Sequence, residues 1–194
     1  MSRLLPEWPL AGLDTTHGSA RLRSVVLTPV TWIAPFPGHG AALSEVLRAA
    51  FGFGFPEPGE AFSAASARLI WSGREQALLV GAPPDPSLAT HAAVIDQSDG
   101  WAAFELTGPR AEDVLARLTP LDLRPVAFAP GQTARSLLGH MNAQITSIGS
   151  GYEFLLMRSM AQTAAHELQE AMRSVAARSQ GLSAEGRPSS TGVV

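Results

Sequence analysis

The chain has 194 residues, of which 45% are hydrophobic and 16% charged, so it can form one domain or two small domains packed together. A net charge of −3 gives no electrostatic basis for binding nucleic acid or an anionic membrane surface. Cysteine and lysine are both absent, which excludes disulfides, thiolate nucleophiles, thiolate metal sites and Schiff-base chemistry within this chain.

The N-terminal segment, residues 1–20, is predicted to be an extended arm. Proline and glycine recur along it, and Pro6, Glu7 and Pro9 interrupt its apolar stretch. Its apolar side chains must therefore pack either on the rest of the chain or on another subunit. No apolar run approaches the roughly 18 residues of a membrane span. We therefore expect no membrane contact and a cytoplasmic protein.

Residues 21–99 predict a first subdomain. The β-branched segment 25–33 indicates a strand with Pro29 at an edge or bulge, and apolar spacing over 41–51 indicates a helix. A Gly- and Pro-rich loop, a hairpin over 67–81, a short helix and a strand over 94–98 follow. The resulting order β-α-β-β-α-β is that of a split βαβ, or ferredoxin-like, unit.

Residues 100–178 predict a second subdomain of the same kind. The alternating strand 101–106 leads into a helix with Gly108 as N-cap and Pro109 at its first position, and Leu115 belongs to the apolar stripe of that helix. Three strands and a last helix from Ser159 follow, and residues 179–194 are predicted to be a disordered tail. The expected fold is α+β, with two ferredoxin-like units packed together, although one continuous sheet remains an alternative.

Candidate metal ligands are scattered along the sequence. The histidines fall in an arm, a helix start, a helix end, a hairpin and a helix surface: His17, His39, His91, His140 and His166. The stretch HELQE over 166–170 carries glutamate where a zincin needs its second histidine, so we interpret it as a solvated helix face. Asp96 and Asp99 precede a glycine but lack the other ligands of a calcium loop, which favours an Asx turn.

No nucleotide-binding or nucleophile motif is present. The glycines of GHG and FGFGF do not follow the spacing of a dinucleotide or P-loop motif, and no G-x-S-x-G elbow occurs. The residues alone therefore predict a structural or interaction protein, with no catalytic, cofactor-binding or metal-binding residues in this chain.

Several segments together resemble the gamma subunit of heterotetrameric sarcosine oxidase. The likeness extends from about Pro9 to Ala177 and is most specific over 94–128, where a strand, a helix opening LTGPRAEDVL and an exit PLDLRP occur in order. The segments that carry it are PLAG (9–12), LIWSGREQALLVGAP (69–83), VIDQSDGWAAFELTGPRAEDVLARLTPLDLRPVAF (94–128) and YEFLLMRSMAQTAAHEL (152–168).

The resemblance implies a shortened relative of the aminomethyltransferase folate-binding fold. It also implies a complex that oxidatively demethylates sarcosine to glycine, produces hydrogen peroxide and passes the one-carbon unit to tetrahydrofolate. In that family FAD, FMN, NAD and tetrahydrofolate are held by the alpha and beta subunits and zinc by the delta subunit. The gamma chain would then be non-catalytic and packed against the alpha, beta and delta subunits.

Two alternatives remain open. A stand-alone folate-binding protein of the aminomethyltransferase superfamily would need a carboxylate facing the pterin, a role for Asp96, Asp99 or Glu105. A self-contained hydrolase or transferase would need a site assembled from scattered residues.

Overall fold

The computed structural model describes residues 8–26, 28–64 and 67–185, with the backbone alone over 180–185. Eleven strands and three α-helices are named in this part of the chain. The strands are β1 Asp14–His17, β2 Ala20–Val25, β3 Val30–Pro35, β4 Ala61–Ser63, β5 Arg68–Gly73, β6 Gln76–Val80, β7 Ala92–Asp96, β8 Trp101–Thr107, β9 Thr133–Leu138, β10 Met141–Ser147 and β11 Gly151–Met157. The helices are α1 Gly40–Phe51, α2 Ala111–Leu115 and α3 Ala161–Glu185.

The strands form two antiparallel sheets. The six-stranded sheet has the order β1-β2-β8-β11-β10-β9, and the five-stranded sheet has the order β4-β5-β6-β3-β7. The α+β class and the presence of two separate sheets are therefore confirmed, and a single continuous sheet is excluded.

The two sheets lie face to face between outer layers of helix. One apolar cluster joins α2 and α3 to the six-stranded sheet, a second joins α1 to the five-stranded sheet, and a third lies between the sheets. In β8, for example, Phe104 faces the helices while Ala103 faces the other sheet. Because both faces are covered, the central strands are runs of apolar residues such as QALLV in β6.

In the segment LTGPR after β8, position 108 requires glycine, both for its backbone conformation and for the space around it. Its φ is +105°, a region that side chains with a Cβ rarely adopt. A Cβ at this position would lie 2.1 Å from the carbonyl oxygen of Ser19, so the N-terminal segment passes directly against the turn. Leu115, in the following helix, is completely buried, as its place in the apolar stripe predicts.

The N-terminal region differs from the expected arm. β1 forms a hairpin with β2, and β2 pairs with β8, so residues 14–25 belong to the six-stranded sheet. The expected strand 25–33 is divided, with Pro29 immediately before β3, because proline cannot donate to a sheet hydrogen bond. Residues 1–7 of the predicted arm lie outside the described residues.

Smaller differences concern helix ends and one short strand. The loop predicted after α1 contains β4, and α2 begins at Ala111 with Arg110 as its N-cap. Asp113 forms an ion pair with Arg110, which lies three residues earlier on the same helix face. The last helix, α3, begins at Ala161 and ends at Glu185.

The predicted tail is therefore helical over its first part. α3 continues through Ser179, where the disordered tail was expected to begin. Apolar residues of this helix are packed as far as Val175, so the last packed turn leads directly into the residues that follow. Residues 186–194 lie outside the described residues. The division into an arm, two subdomains and a tail stays a prediction as a whole.

Candidate functional site

The contact between the two sheets, which we call the seam, contains hydrogen-bonded polar side chains. Gln144 of β10 donates through Nε2 to the carbonyl oxygen of Trp71 at 2.9 Å and to Thr133 Oγ1 at 2.6 Å. Thr133 donates in turn to the carbonyl oxygen of Ile145 at 3.1 Å, and its hydroxyl lies 2.9 Å from that of Thr146. Three of these side chains, Gln144, Thr133 and Thr146, are buried, so their hydrogen bonds replace those lost to water.

An ion pair also crosses the seam. Nη1 of Arg68, on β5, lies 2.7 Å from both carboxylate oxygens of Glu153, on β11. Glu153 is only 1% exposed, and burial, the largest influence, raises its pKa above the usual range, while the charge and hydrogen bond of Arg68 oppose that rise. The buried Nη2 of Arg68 has no hydrogen-bond partner within the described part of the chain. The carboxylate is therefore held in place at a cost in desolvation.

A cavity of about 270 Å³ opens at one end of the seam. Trp32 and Ser72 line it from the five-stranded sheet, and Trp101 and Arg135 line it from the six-stranded sheet. Arg135 donates through Nη1 to the carbonyl oxygen of Ser72 at 3.2 Å, whereas the buried Oγ of Ser72 has no partner among the described residues. The walls combine indole rings with one cation and several amides, which suits a small polar or planar molecule.

The three carboxylates considered for a pterin do not line this cavity. Asp96 accepts hydrogen bonds from the backbone nitrogen and hydroxyl of Ser98, as an Asx turn requires, and these bonds lower the pKa of Asp96. The side chain of Asp99 is 94% exposed. Glu105 accepts a hydrogen bond of 2.9 Å from Nε of Arg23 on the neighbouring strand. The structure therefore does not bring these carboxylates together.

Two of the scattered histidines do meet. Nδ1 of His39, at the start of α1, lies 3.2 Å from Nδ1 of His91, just before β7. His166 of the HELQE stretch is exposed on α3, and Glu170 of the same stretch pairs with Arg173. Over the part of the chain that the structure describes, no group of three or more His, Asp or Glu side chains is placed to hold a metal ion.

Sequence reasoning missed the polar seam and the histidine pair. A signal for the seam was present in the sequence, because Glu153 interrupts the apolar run of β11 and Arg68 immediately precedes the apolar run of β5. A buried charge in a strand generally requires an opposite charge on a neighbouring element. The two histidines are 52 residues apart, and nothing in their local sequences connects them.

No family model matches the chain. Among curated proteins it is similar to sarcosine oxidase subunit gamma of Corynebacterium sp. (strain P-1), with 28% identity over 172 residues, covering 81% of this chain and 82% of the relative. It is also similar to sarcosine oxidase subunit gamma of Arthrobacter sp., with 29% identity over 155 residues, covering 74% and 75%. The resemblance to sarcosine oxidase gamma subunits is confirmed.

Comparison with solved structures supports the same resemblance. A chain of heterotetrameric sarcosine oxidase from Corynebacterium sp. U-96, solved in complex with pyrrole 2-carboxylate, matches with a TM-score of 0.70 and 25% identity over 86% of this chain and 90% of that chain. The glycine cleavage system aminomethyltransferase T from Bartonella henselae matches with a TM-score of 0.53 and 17% identity, over 79% of this chain and 46% of that one. The second similarity shows a shared fold.

No helix among the described residues is both long and apolar enough to cross a membrane.

Proposed function

We propose that this chain is the non-catalytic gamma-type subunit of a heterotetrameric sarcosine oxidase-like complex. The observation that carries the proposal is the match to a chain of the heterotetrameric enzyme, which covers 86% of this chain and 90% of that chain at a TM-score of 0.70. Both curated relatives bear the name of the gamma subunit and are covered over three quarters or more of their length. The similarity therefore concerns a whole subunit and not a shared fragment.

In the proposed complex the chemistry belongs to the other subunits. Sarcosine is oxidatively demethylated to glycine, oxygen is reduced to hydrogen peroxide, and the one-carbon unit passes to tetrahydrofolate. The alpha and beta subunits would hold FAD, FMN, NAD and tetrahydrofolate, the delta subunit would hold zinc, and the complex would be cytoplasmic. The present chain would bind none of these groups and would contribute a defined shape that contacts the larger chains.

The layered fold supports this assignment. Both sheets are covered on both faces, and a buried ion pair and a hydrogen-bonded glutamine fix one sheet against the other. Such a body presents a constant outer surface, which is what a partner requires of a subunit that brings no reactive group. We propose further that the fold consists of ferredoxin-like units of the kind implied by the aminomethyltransferase resemblance. The order β5-β6-β3-β7 in one sheet supports it, since a split βαβ unit places its first and third strands side by side.

A co-purification experiment tests the proposed function. The chain is tagged and expressed in its native cell, and the captured material is separated by size and examined by absorbance between 300 and about 550 nm, where flavins absorb. We expect a large yellow complex that oxidises sarcosine, together with a colourless tagged chain after the complex is dissociated. The tag alone, expressed in the same cell, is the control.

Titration of the isolated chain distinguishes the main alternative. The proposal predicts no heat of binding when tetrahydrofolate is added to the purified chain. Stoichiometric tetrahydrofolate binding would favour a stand-alone folate-binding protein, and oxidation of sarcosine by the chain alone would contradict the non-catalytic role.

A further inference from the structure

His39 and His91 come together because backbone hydrogen bonds hold the two segments that carry them. The backbone nitrogen of Phe36 donates to the carbonyl oxygen of His91 at 2.9 Å, and the backbone nitrogen of His39 donates to the carbonyl oxygen of Phe36 at 2.9 Å. His39 then starts α1, since the backbone nitrogen of Leu43 donates to its carbonyl oxygen at 2.9 Å. The backbone positions of His39 and His91 are therefore fixed, on two different elements.

The two rings face each other through the same type of nitrogen. Their Nδ1 atoms are 3.2 Å apart, the ring centroids are 5.5 Å apart and the ring planes are inclined by 42°. Two imidazole nitrogens bound to one tetrahedral ion, with metal–nitrogen bonds of about 2.0–2.1 Å, are separated by about 3.3–3.4 Å. At two adjacent positions of a square-planar ion, with the same bond lengths, the nitrogens are about 2.8–3.0 Å apart. The observed separation lies between these two values.

We propose that His39 and His91 form a two-imidazole site for a late first-row divalent transition-metal ion, with Cu²⁺ preferred over Ni²⁺ and Zn²⁺. Without the ion, an N–H···N hydrogen bond joins the rings. When the ion enters, both neutral rings carry their hydrogen on Nε2, and each Nδ1 lone pair turns toward the ion through a small rotation of an exposed ring. Water completes the coordination.

The ligand chemistry determines the expected ion. Imidazole suits copper, nickel and zinc, whereas magnesium and calcium prefer oxygen ligands, and affinity among these transition metals is highest for copper. His39 lies at the positive end of α1, and the first turn of that helix contains no acidic residue. The helix dipole therefore opposes a cation here, so ligation by two imidazoles must supply the binding. This site is independent of the proposed subunit role and departs from the sequence prediction that the chain holds no metal ligand.

Binding of Cu²⁺ to the full-length chain tests the site. The metal-free protein is titrated with Cu²⁺ at neutral pH, followed by calorimetry and by electron paramagnetic resonance, which reports nitrogen ligands. We expect one high-affinity ion per chain with a two-nitrogen signature. Removing a partner of a metal ligand typically costs 10–100-fold in affinity, so removing a ligand in His39→Ala or His91→Ala should weaken binding roughly 10-fold or more.

Matched controls separate this pair from other histidines. His140→Ala removes an exposed histidine from the β9–β10 hairpin and should leave Cu²⁺ binding unchanged. Thermal unfolding of each metal-free variant shows that the fold is intact, and Mg²⁺ should produce no binding to any of the proteins. The proposal is overturned if the two-nitrogen signature is absent from the unmodified chain, persists in the variant lacking both His39 and His91, or is lost in His166→Ala instead.

Discussion

The two faces of the six-stranded sheet are stabilised in different ways. The face toward α2 and α3 is an apolar layer in which Phe104 and Phe154 are completely buried beside Leu168 of α3. The face toward the other sheet is the seam, where apolar side chains alternate with Gln144 and with the ion pair of Glu153. The helix-facing layer is stabilised by burial of apolar area, whereas the seam is stabilised also by directional hydrogen bonds and an ion pair.

This difference shows how two sheets can be kept in one relative position. Apolar contact has no preferred direction, so an apolar layer tolerates small sliding movements. The hydrogen bond from Gln144 to the carbonyl oxygen of Trp71 is short and directional, and it is lost if the sheets slide. The bond from Gln144 to Thr133 joins neighbouring strands of one sheet and holds the amide in position. We hypothesise that the helix-facing layer supplies most of the stability, while the seam fixes the shape of the subunit.

The largest effect is expected from a charge placed in the helix-facing layer. Leu115→Asp places an unpaired carboxylate where the native side chain is completely buried, and we expect it to lower the free energy of unfolding by about 4 kcal/mol or to prevent folding. Ala116→Asp adds the same group at the next, exposed position and should cost less than about 1 kcal/mol. Urea denaturation measures both, and equal midpoints for the two variants would show that Leu115 is not in the core.

Removal of one charge from the seam should have the next largest effect. Glu153→Leu leaves Arg68 without its carboxylate, and we expect a loss of about 3 kcal/mol in the free energy of unfolding. Arg68→Met leaves the buried carboxylate unpaired and should cost a similar amount.

The double variant Arg68→Met/Glu153→Leu tests whether the two charges act together. With both charges replaced by apolar groups, most of the lost stability should return, because neither ion then has to be desolvated. A double-mutant cycle by urea denaturation gives the interaction energy. If the double variant is as unstable as the sum of the single variants, the ion pair makes no coupled contribution and our account of the seam is wrong.

The smallest expected effect is a dependence on pH. Because the pKa of Glu153 is raised on folding, its contribution to stability is complete below the ordinary value of 4.5 and is lost as the pH rises through the folded-state value. Glu153→Gln does not titrate, so the stability of the unmodified chain relative to this variant should fall as the pH rises above that ordinary value, by about 1.4 kcal/mol for each pKa unit.

Carboxylates with lowered pKa values, such as Asp96 and Asp14, produce the opposite slope with pH, but they are common to both proteins and cancel in the difference. Thermal or urea unfolding across this pH range measures the difference. A constant difference, or one that rises with pH, would contradict the raised pKa of Glu153.

Local patterns predicted the elements whose residues act over short distances. Helical spacing located α1, alternation located β8, and the hairpin pattern over 67–81 located β5 and β6. The likeness to sarcosine oxidase gamma subunits was also available from ordered local segments, especially over 94–128. These features depend on neighbours a few residues apart, so a single sequence contains the information that specifies them.

Local sequence was thus sufficient to predict the main helices, the central strands, the burial of Leu115 and the absence of cysteine and lysine chemistry. Tertiary packing was needed to show that β2 pairs with β8 in the six-stranded sheet, that Arg68 meets Glu153 across the seam, and that His39 meets His91. Each of these contacts joins residues tens of positions apart. Their partners depend on how whole elements pack, because the distance between two side chains on separate elements is set by the layers between them and not by any local pattern.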